Sequence, residues 1–222
     1  PIVQANLERG MVYFIDVPGA KQSQLRFGYA ALSAKDPDFL PAQMMNYRLG
    51  GGGFASELTQ MLRETKGYTY GVRSRFAGSA LPGPFIVSSG VRSNVTAEST
   101  ELVREIMRSY AEDFDADDLE LTKGYFIKSN ARSFETPYAK LGYLTEIATL
   151  DFEPDYILDQ QETVKEITLD KIKELANTYA DPEKLIYVIV GDAKTQLKKV
   201  QDLGLEVKLV NQNLEAQEAL KK

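Results

Sequence analysis

The chain has 222 residues, of which 43% are hydrophobic and 26% are charged, a composition typical of a globular protein with one large domain or two small ones. It contains no histidine and no cysteine, which excludes the usual nitrogen and sulfur ligands of zinc and the base of a Ser-His-Asp or Cys-His site. The formal net charge of -6 argues against a nucleic-acid partner, and no apolar run approaches the roughly 20 residues of a membrane span.

The first half of the chain is predicted to contain four strands and two helices. Residues 12–17 and 24–32 are β-branched and aromatic runs separated by a Pro-Gly turn, and they read as two strands. A helix over residues 41–50 and an amphipathic helix over residues 55–64 follow. Residues 68–76 and 85–91 are strand-like and flank a Pro- and Gly-rich loop, which predicts a β-hairpin.

The second half is predicted to be mainly helical. From residue 97 the apolar spacing changes to about 3.6 residues, which predicts three helices before residue 151. Two more helices are predicted at residues 156–165 and 169–179, the second capped by Thr168, and a strand at residues 185–190. Because helices follow strands instead of alternating with them, we predict an α+β domain over residues 1–210 and a loose polar tail over residues 211–222.

The start of the chain carries no recognisable targeting segment. The first residue is Pro1 and not methionine, so we expect the chain to be part of a longer polypeptide. Residues 1–20 lack a basic stretch followed by an apolar one, so no signal peptide is visible.

Four consecutive glycines at residues 50–53 precede Phe54. Such a run persists where the backbone bends sharply or where another backbone approaches closely. A Walker phosphate loop requires Gly-Lys-Ser/Thr at its end, whereas Phe54, Ala55 and Ser56 follow here, so phosphate binding is disfavoured. A hinge between two helices and a loop that contacts a partner or a peptide both stay open.

An arginine and two tyrosines flank the predicted turn at Gly67. Arg63 falls in the last turn of the second predicted helix, and Tyr68 and Tyr70 open the next strand on one face. An arginine and a tyrosine brought together there can donate two hydrogen bonds to one carbonyl oxygen. The alternative is structural: a helix-terminal arginine favoured by the helix dipole, and tyrosines that pack on the core.

The acidic stretch EDFDADDLE at residues 112–120 has the alternating aspartates of a calcium loop. Asp118 and Gly124, however, stand where an EF-hand requires glycine and glutamate. We therefore predict that Asp115 caps a helix and that calcium does not bind.

The segment LGGGGFASELTQMLRETKGYTYGVRSRF resembles the second, inactive half of the M16 (insulinase, pitrilysin, mitochondrial processing peptidase) metallopeptidases. VPGAKQSQLRFGYAAL upstream and LIYVIVGD downstream extend the resemblance over roughly residues 10–205. It implies the fold of the LuxS/MPP-like metallohydrolases: a mixed, largely antiparallel sheet with helices packed on it. It also implies that two such halves close around an unfolded peptide.

The resemblance further implies a division of labour between the halves. The active half of such a peptidase carries zinc on an HxxEH helix, which a chain without histidine cannot contain. The inactive half contributes an arginine and a tyrosine seven positions apart, which selects Arg63 and Tyr70, with Tyr68 as a rival. The loop residues implied to contact substrate, or to form the hinge between halves, are Gly51, Gly52, Gly53 and Phe54.

The resulting prediction is a non-catalytic peptidase half that binds no metal. The zinc ion of the enzyme is expected on a partner half, in the same longer chain or in a separate subunit. Two alternatives stay open: an assembly module of the same fold without catalysis, and an unrelated α+β binding domain. The net charge of -6 slightly favours cationic or neutral peptides, although the local potential decides. Bacterial relatives of this type are often exported, so an exported or periplasmic location is expected before a cytoplasmic one.

Overall fold

The computed structural model describes residues 8–132 and 135–210. In these ranges the strands are β1 Val12–Asp16, β2 Gln22–Ala30, β3 Thr69–Phe76, β4 Pro84–Arg92, β5 Ile186–Gly191 and β6 Val207–Val210. The helices are α1 Phe39–Asn46, α2 Glu57–Thr59, α3 Thr96–Asp113, α4 Ala116–Arg132, α5 Pro137–Leu150, α6 Tyr156–Glu166, α7 Leu169–Tyr179 and α8 Ala193–Gln201. Helices α1 and α2 each continue into a wider π-type turn, over Tyr47–Gly51 and Gln60–Thr65.

The strands form one mixed sheet in the order β3-β4-β2-β5-β1-β6. The pairs β3–β4, β4–β2 and β2–β5 are antiparallel. β1 runs parallel to both β5 and β6. The predicted hairpin is β3 and β4. β1 and β2 do not pair with each other, because β5 lies between them: Val188 is opposite both Tyr13 and Arg26. The mixed sheet with packed helices confirms the predicted fold.

Helices cover one face of the sheet. Strand side chains on this face are buried, such as Phe27 and Tyr187, whose ring centres lie 4.8 Å apart. The predicted stripe on α3, which includes Val103, Ile106 and Met107, packs into the same core. On the opposite face of the sheet, the side chains of every second strand residue are half-buried or exposed, so the described helices leave that face open.

Both predicted helix caps are confirmed. The Thr168 hydroxyl accepts the backbone N–H of Lys171 at 3.2 Å at the start of α7. Asp115 Oδ1 accepts the N–H groups of Asp117 and Asp118 at 2.9 and 3.0 Å at the start of α4. The side-chain oxygens thus satisfy donors that the helix itself leaves unpaired.

Helix α5 departs from the usual pattern of an apolar helix. Its apolar residues repeat at helical spacing, yet none of its residues is buried. Tyr138 is 85% exposed, and Leu141 and Leu144 are each 58% exposed.

No helix in the described ranges is both long and apolar enough to cross a bilayer.

Candidate functional site

Arg63 lies at the end of the second helix. The wide turn Gln60–Thr65 closes at Gly67, whose φ of +61° suits glycine, and the Gly67 N–H donates to the Arg63 carbonyl at 3.1 Å. The Arg63 guanidinium carbon lies 4.6 Å from the centre of the Phe54 ring. Its Nε lies 3.2 Å from Glu64 Oε1, and the side chain is 39% exposed. A cation–π contact therefore holds the head group of Arg63 while part of it faces solvent.

Tyr70 lies on a β-bulge at the start of β3. Where β4 has one residue, Gly90, β3 has two, Tyr70 and Gly71. The Thr69 hydroxyl stabilises the bulge by donating to the Gly90 carbonyl at 2.7 Å and accepting the Gly71 N–H at 3.0 Å. The Tyr70 side chain is 90% exposed. Bulges re-aim side chains, and this one turns Tyr70 away from the core.

Tyr68 is held differently from Tyr70. It precedes β3, its N–H donates to the Leu62 carbonyl at 2.8 Å, and its carbonyl accepts the Arg92 N–H at 3.2 Å. Its side chain packs, partly buried, against the hydrophobic core. Tyr68 and Tyr70 therefore differ in exposure, and their place on one face stays a prediction.

The four positions of the run favour glycine for different structural reasons. Gly50 is buried, and a Cβ there would lie 2.7 Å from the backbone nitrogen of Ser74 in β3. Gly53 is exposed and has a φ of +59°, which side chains disfavour. A Cβ on Gly51 or Gly52 would crowd the preceding turn of the same helix. The run therefore lets α1 pass close to β3 and then bends toward Phe54, which is 61% exposed.

Side chains from the helices cover the outer edge of β3. Asn46 Nδ2 donates to the Ser74 carbonyl at 2.9 Å, and the Ser74 hydroxyl donates to Asn46 Oδ1. The Thr59 hydroxyl donates to the Val72 carbonyl at 3.4 Å. An edge strand with free amides invites pairing by another strand. These bonds oppose such pairing along the middle of β3.

Arg48 joins the glycine run to the acidic stretch. Its Nε lies 2.6 Å from Asp118 Oδ1, and its Nη1 donates to the Ala55 carbonyl. The pKa of the nearby Glu57 carboxyl is raised by burial and, to a smaller extent, by the charge of Asp113. The charge of Arg48 lowers it. The acidic stretch thus serves the local fold through Asp115 and Asp118.

Three arginines beside Tyr70 were not singled out from the sequence. Arg73 and Arg75 follow the bulge on β3, and Arg26 lies on β2, with Ser88 of β4 in register between Arg26 and Arg73. Arg26, Arg73 and Ser88 help to line a shallow depression of about 250 Å³. The available signal was the alternation of Arg73 and Arg75 with apolar or small residues in a predicted strand.

A larger cleft of about 650 Å³ lies between α1, β3 and the helices α4 to α6. Its apolar lining includes Phe39, Phe126 and Phe152, and neither Arg63 nor Tyr70 borders it. The cleft is therefore separate from the predicted Arg-Tyr pair.

The residues present do not fit a zinc site. The sequence has no histidine or cysteine, and residues 8–132 and 135–210 contain no group of three or more potential ligands placed to hold a metal ion. No metal chemistry is assigned to the side chains of this chain.

The family model for the peptidase M16 inactive domain matches residues 3–125, which is more than half of the chain. No curated protein sequence matches significantly. The structure of a peptidase M16 inactive domain from Pseudomonas fluorescens is 25% identical, with a TM-score of 0.76. The match covers 83% of this chain but 44% of that one, so the chain spans less than half the length of that protein.

Two further solved structures share the fold at lower identity. A putative zinc protease from Bordetella pertussis is 17% identical, with a TM-score of 0.63, over 78% of this chain and 95% of that one. The periplasmic protease PqqL from Escherichia coli is 15% identical, with a TM-score of 0.68, over 86% of this chain and 21% of that one.

Proposed function

The chain belongs to the peptidase M16 inactive-domain family, and from that membership we propose that it is the zinc-free half of an M16 endopeptidase. In this role it holds an extended peptide and directs Arg63 and Tyr70 at the substrate. An HxxEH-bearing half, fused in a longer chain or present as a separate subunit, completes the enzyme. An exported location is part of the proposal, since the similar protein PqqL is a periplasmic protease; fractionation of the source cells tests it.

The observation that carries the proposal is the display of two donors on either side of the Gly67 turn. Arg63 is held over Phe54 and is 39% exposed, and Tyr70 is 90% exposed on a bulge. Exposing a large aromatic side chain in this way does nothing for the core. We therefore assign both side chains to a partner molecule.

The chemistry of the pair suits a scissile peptide carbonyl. The guanidinium and the phenol O–H are both hydrogen-bond donors. Donors aimed at a carbonyl oxygen stabilise the negative charge that develops there when a nucleophile adds to the carbonyl carbon. Zinc on the partner half would supply the activated water for that attack. Arg63 and Tyr70 bind and orient the carbonyl and then stabilise its oxyanion.

The loop beside Arg63 has a supporting role in the proposal. Gly51 and Gly53 are exposed, Gly52 is half-buried, and Phe54 follows directly. Without side chains, this stretch lets a peptide approach the backbone closely. Phe54 then acts as a positioning residue for Arg63 as well as a contact for the substrate. Tyr68, half-buried against the core, is the second choice for the tyrosine.

Reconstitution tests the proposed function. The chain and an HxxEH half from the same source are purified separately, and hydrolysis of an unfolded polypeptide is measured for each one and for the mixture with zinc. We expect turnover in the mixture and none from this chain alone. An HxxEH half that is equally active without this chain would contradict the proposal.

An assembly role without catalysis is the second candidate. The observation that favours it is the apolar face of α5, where Leu141 and Leu144 are each 58% exposed. Exposed apolar patches mark interaction sites. A complex that contains both halves but does not cleave any unfolded polypeptide would favour this role over the peptidase.

A further inference from the structure

We propose that the helix-free face beside Tyr70 binds an acidic side chain of the peptide, held between Arg26 and Arg73 over Ser88. This inference rests on the proposed function, because it names the class of peptide that the chain holds. It concerns residues outside the Arg63 and Tyr70 pair.

The strand register brings the two arginines to one site. Ser88 is opposite Arg26 across the β2–β4 pairing and opposite Arg73 across the β3–β4 pairing. Because adjacent strands lie about 4.8 Å apart, the two Cα atoms are about 10 Å apart with Ser88 between them. A carboxylate above Ser88 lies within reach of both guanidinium groups. Arg75, two residues along β3 from Arg73, lies on the same face.

Unlike Arg48 and Arg104, these arginines can bind an anion from outside the chain. Arg48 and Arg104 are engaged with Asp118 and Glu101. Arg26 instead donates from Nη1 to the carbonyl of its own neighbour, Leu25, at 2.8 Å, and the side chains of Arg26, Arg73 and Arg75 are exposed. A guanidinium without a carboxylate partner is a strong binder of anions because its planar fork matches two oxygens.

The strand residues of this face carry a net positive charge. Strand residues in register on this face, within the described ranges, include no aspartate or glutamate; the cations among them are Arg26, Arg73, Arg75, Arg92 and Lys208. The overall net charge of -6 slightly favours cationic or neutral peptides. The local charge favours acidic ones, and it acts at shorter range on a bound peptide.

The floor of the site leaves room for a carboxylate. The depression of about 250 Å³ is lined by the two arginines and by the small residues Gly71, Ser88, Ser89 and Gly90. The Ser88 hydroxyl adds a donor from below. A glutamate or aspartate side chain could therefore enter between the arginines without displacing a large residue.

The site is continuous with the predicted contact at the scissile bond. Tyr70 and Gly71 form the bulge that precedes Arg73 on β3, and Gly71 also lines the depression. Three strand residues span about 10 Å. The acidic residue of the substrate is thus expected about three residues from the bond that Tyr70 contacts.

Binding of short peptides to the full chain tests the inference. Three fluorescein-labelled peptides of neutral sequence differ only in a central Glu, Gln or Lys, and their affinities are measured by fluorescence anisotropy at low and high salt. We expect the Glu peptide to bind about tenfold more tightly than the Gln peptide, since charge-assisted bonds to arginine are strong. The Arg26→Gln, Arg73→Gln double variant should lose this preference.

A matched control removes two cations from the helical layer. Lys128 and Lys140 are exposed on α4 and α5, so Lys128→Gln, Lys140→Gln changes the net charge equally and should keep the preference. Thermal unfolding of both double variants checks that the fold is intact.

The outcomes separate the two proposals. Equal binding of all three peptides overturns the acidic class but leaves peptide holding in place. A Glu preference that survives Arg26→Gln, Arg73→Gln also overturns the inference. If that variant binds peptides normally but associates poorly with the HxxEH half, the face is a domain interface and the inference is wrong. Failure to bind any of the peptides contradicts both proposals.

Discussion

The guanidinium carbon of Arg63 lies 4.6 Å from the centre of the Phe54 ring, so the residue that follows the glycine run touches the last turn of the second helix. The contact links two features that are nine residues apart in the sequence. It gives Phe54 a reason to be 61% exposed: the ring supports a cation and does not fill the core. The glycine run and Arg63 thus form one local unit.

Phe54→Ala is expected to lower the turnover of the assembled enzyme by about tenfold, because an unsupported Arg63 samples more rotamers before it meets the substrate. Thermal unfolding of the isolated chain should change little, since the ring is mainly exposed. Leu81→Ala is the control, because Leu81 is 52% exposed in the β3–β4 connection. If Phe54→Ala and Leu81→Ala have equal turnover, Phe54 has no positioning role.

Gly50→Ala is expected to destabilise the chain by about 1–3 kcal/mol, as overpacking does. The new Cβ would lie 2.7 Å from the Ser74 backbone nitrogen, which cannot move without disturbing the sheet edge. Urea unfolding measures the change. Gly142→Ala on α5 is the control, since a Cβ there meets nothing within 4 Å; it should be neutral or stabilising. Equal stability of wild type and Gly50→Ala would refute the close approach.

The stability of the chain is expected to depend on the titration of Glu57. Burial raises the pKa of this carboxyl in the folded state, so the folded chain binds the proton more tightly than the unfolded chain does. Protonated Glu57 therefore makes its full contribution to the free energy of unfolding below the ordinary glutamate pKa of about 4.3. This contribution falls as pH rises through the raised pKa. Glu57→Gln should flatten this part of the pH profile of unfolding free energy. Parallel profiles for the variant and the wild type would show that Glu57 is not the group responsible.

Leu141→Gln with Leu144→Gln is expected to leave the unfolding midpoint nearly unchanged, because both side chains are 58% exposed. If α5 contacts the HxxEH half, the same variant should weaken association of the halves by about tenfold, as loss of buried apolar area does. Sedimentation or titration calorimetry measures the association. The contrast is Leu175→Ala in α7, where Leu175 is 1% exposed and the fold itself should lose about 2–5 kcal/mol. Unchanged association would exclude this face of α5 from the interface.

Local sequence patterns predicted most of the helices and strands, but they did not predict which distant strands pair. Periodicity, caps and turn residues identified the β3–β4 hairpin and the start of α7 because those signals lie within a few residues. The insertion of β5 between β1 and β2 joins segments more than 150 residues apart, which no local pattern encodes. α8 and β6 were not predicted: α8 has few apolar residues, and β6 is only four residues long.

The candidate site was predicted in part for the same reason. Arg63 at a helix end and the turn at Gly67 follow from local spacing. The bulge at Tyr70 depends on how β4 pairs, so the sequence pattern did not predict it. The bonds between Asn46 and Ser74 and the alignment of Arg26 with Arg73 likewise arise only when distant segments meet. Tertiary register decides such contacts, as it does for strand pairs in general.

The most direct test of the account is the turnover of Arg63→Ala and Tyr70→Phe in the complex of this chain with its HxxEH half. Loss of one oxyanion donor lowers turnover by about 100- to 1000-fold, so we expect a fall of that size in kcat for each variant. The unfolding midpoint should be unchanged, because Tyr70 is 90% and Arg63 39% exposed. Tyr68→Phe is the matched control and should keep its turnover. Wild-type turnover in both Arg63→Ala and Tyr70→Phe would contradict the account.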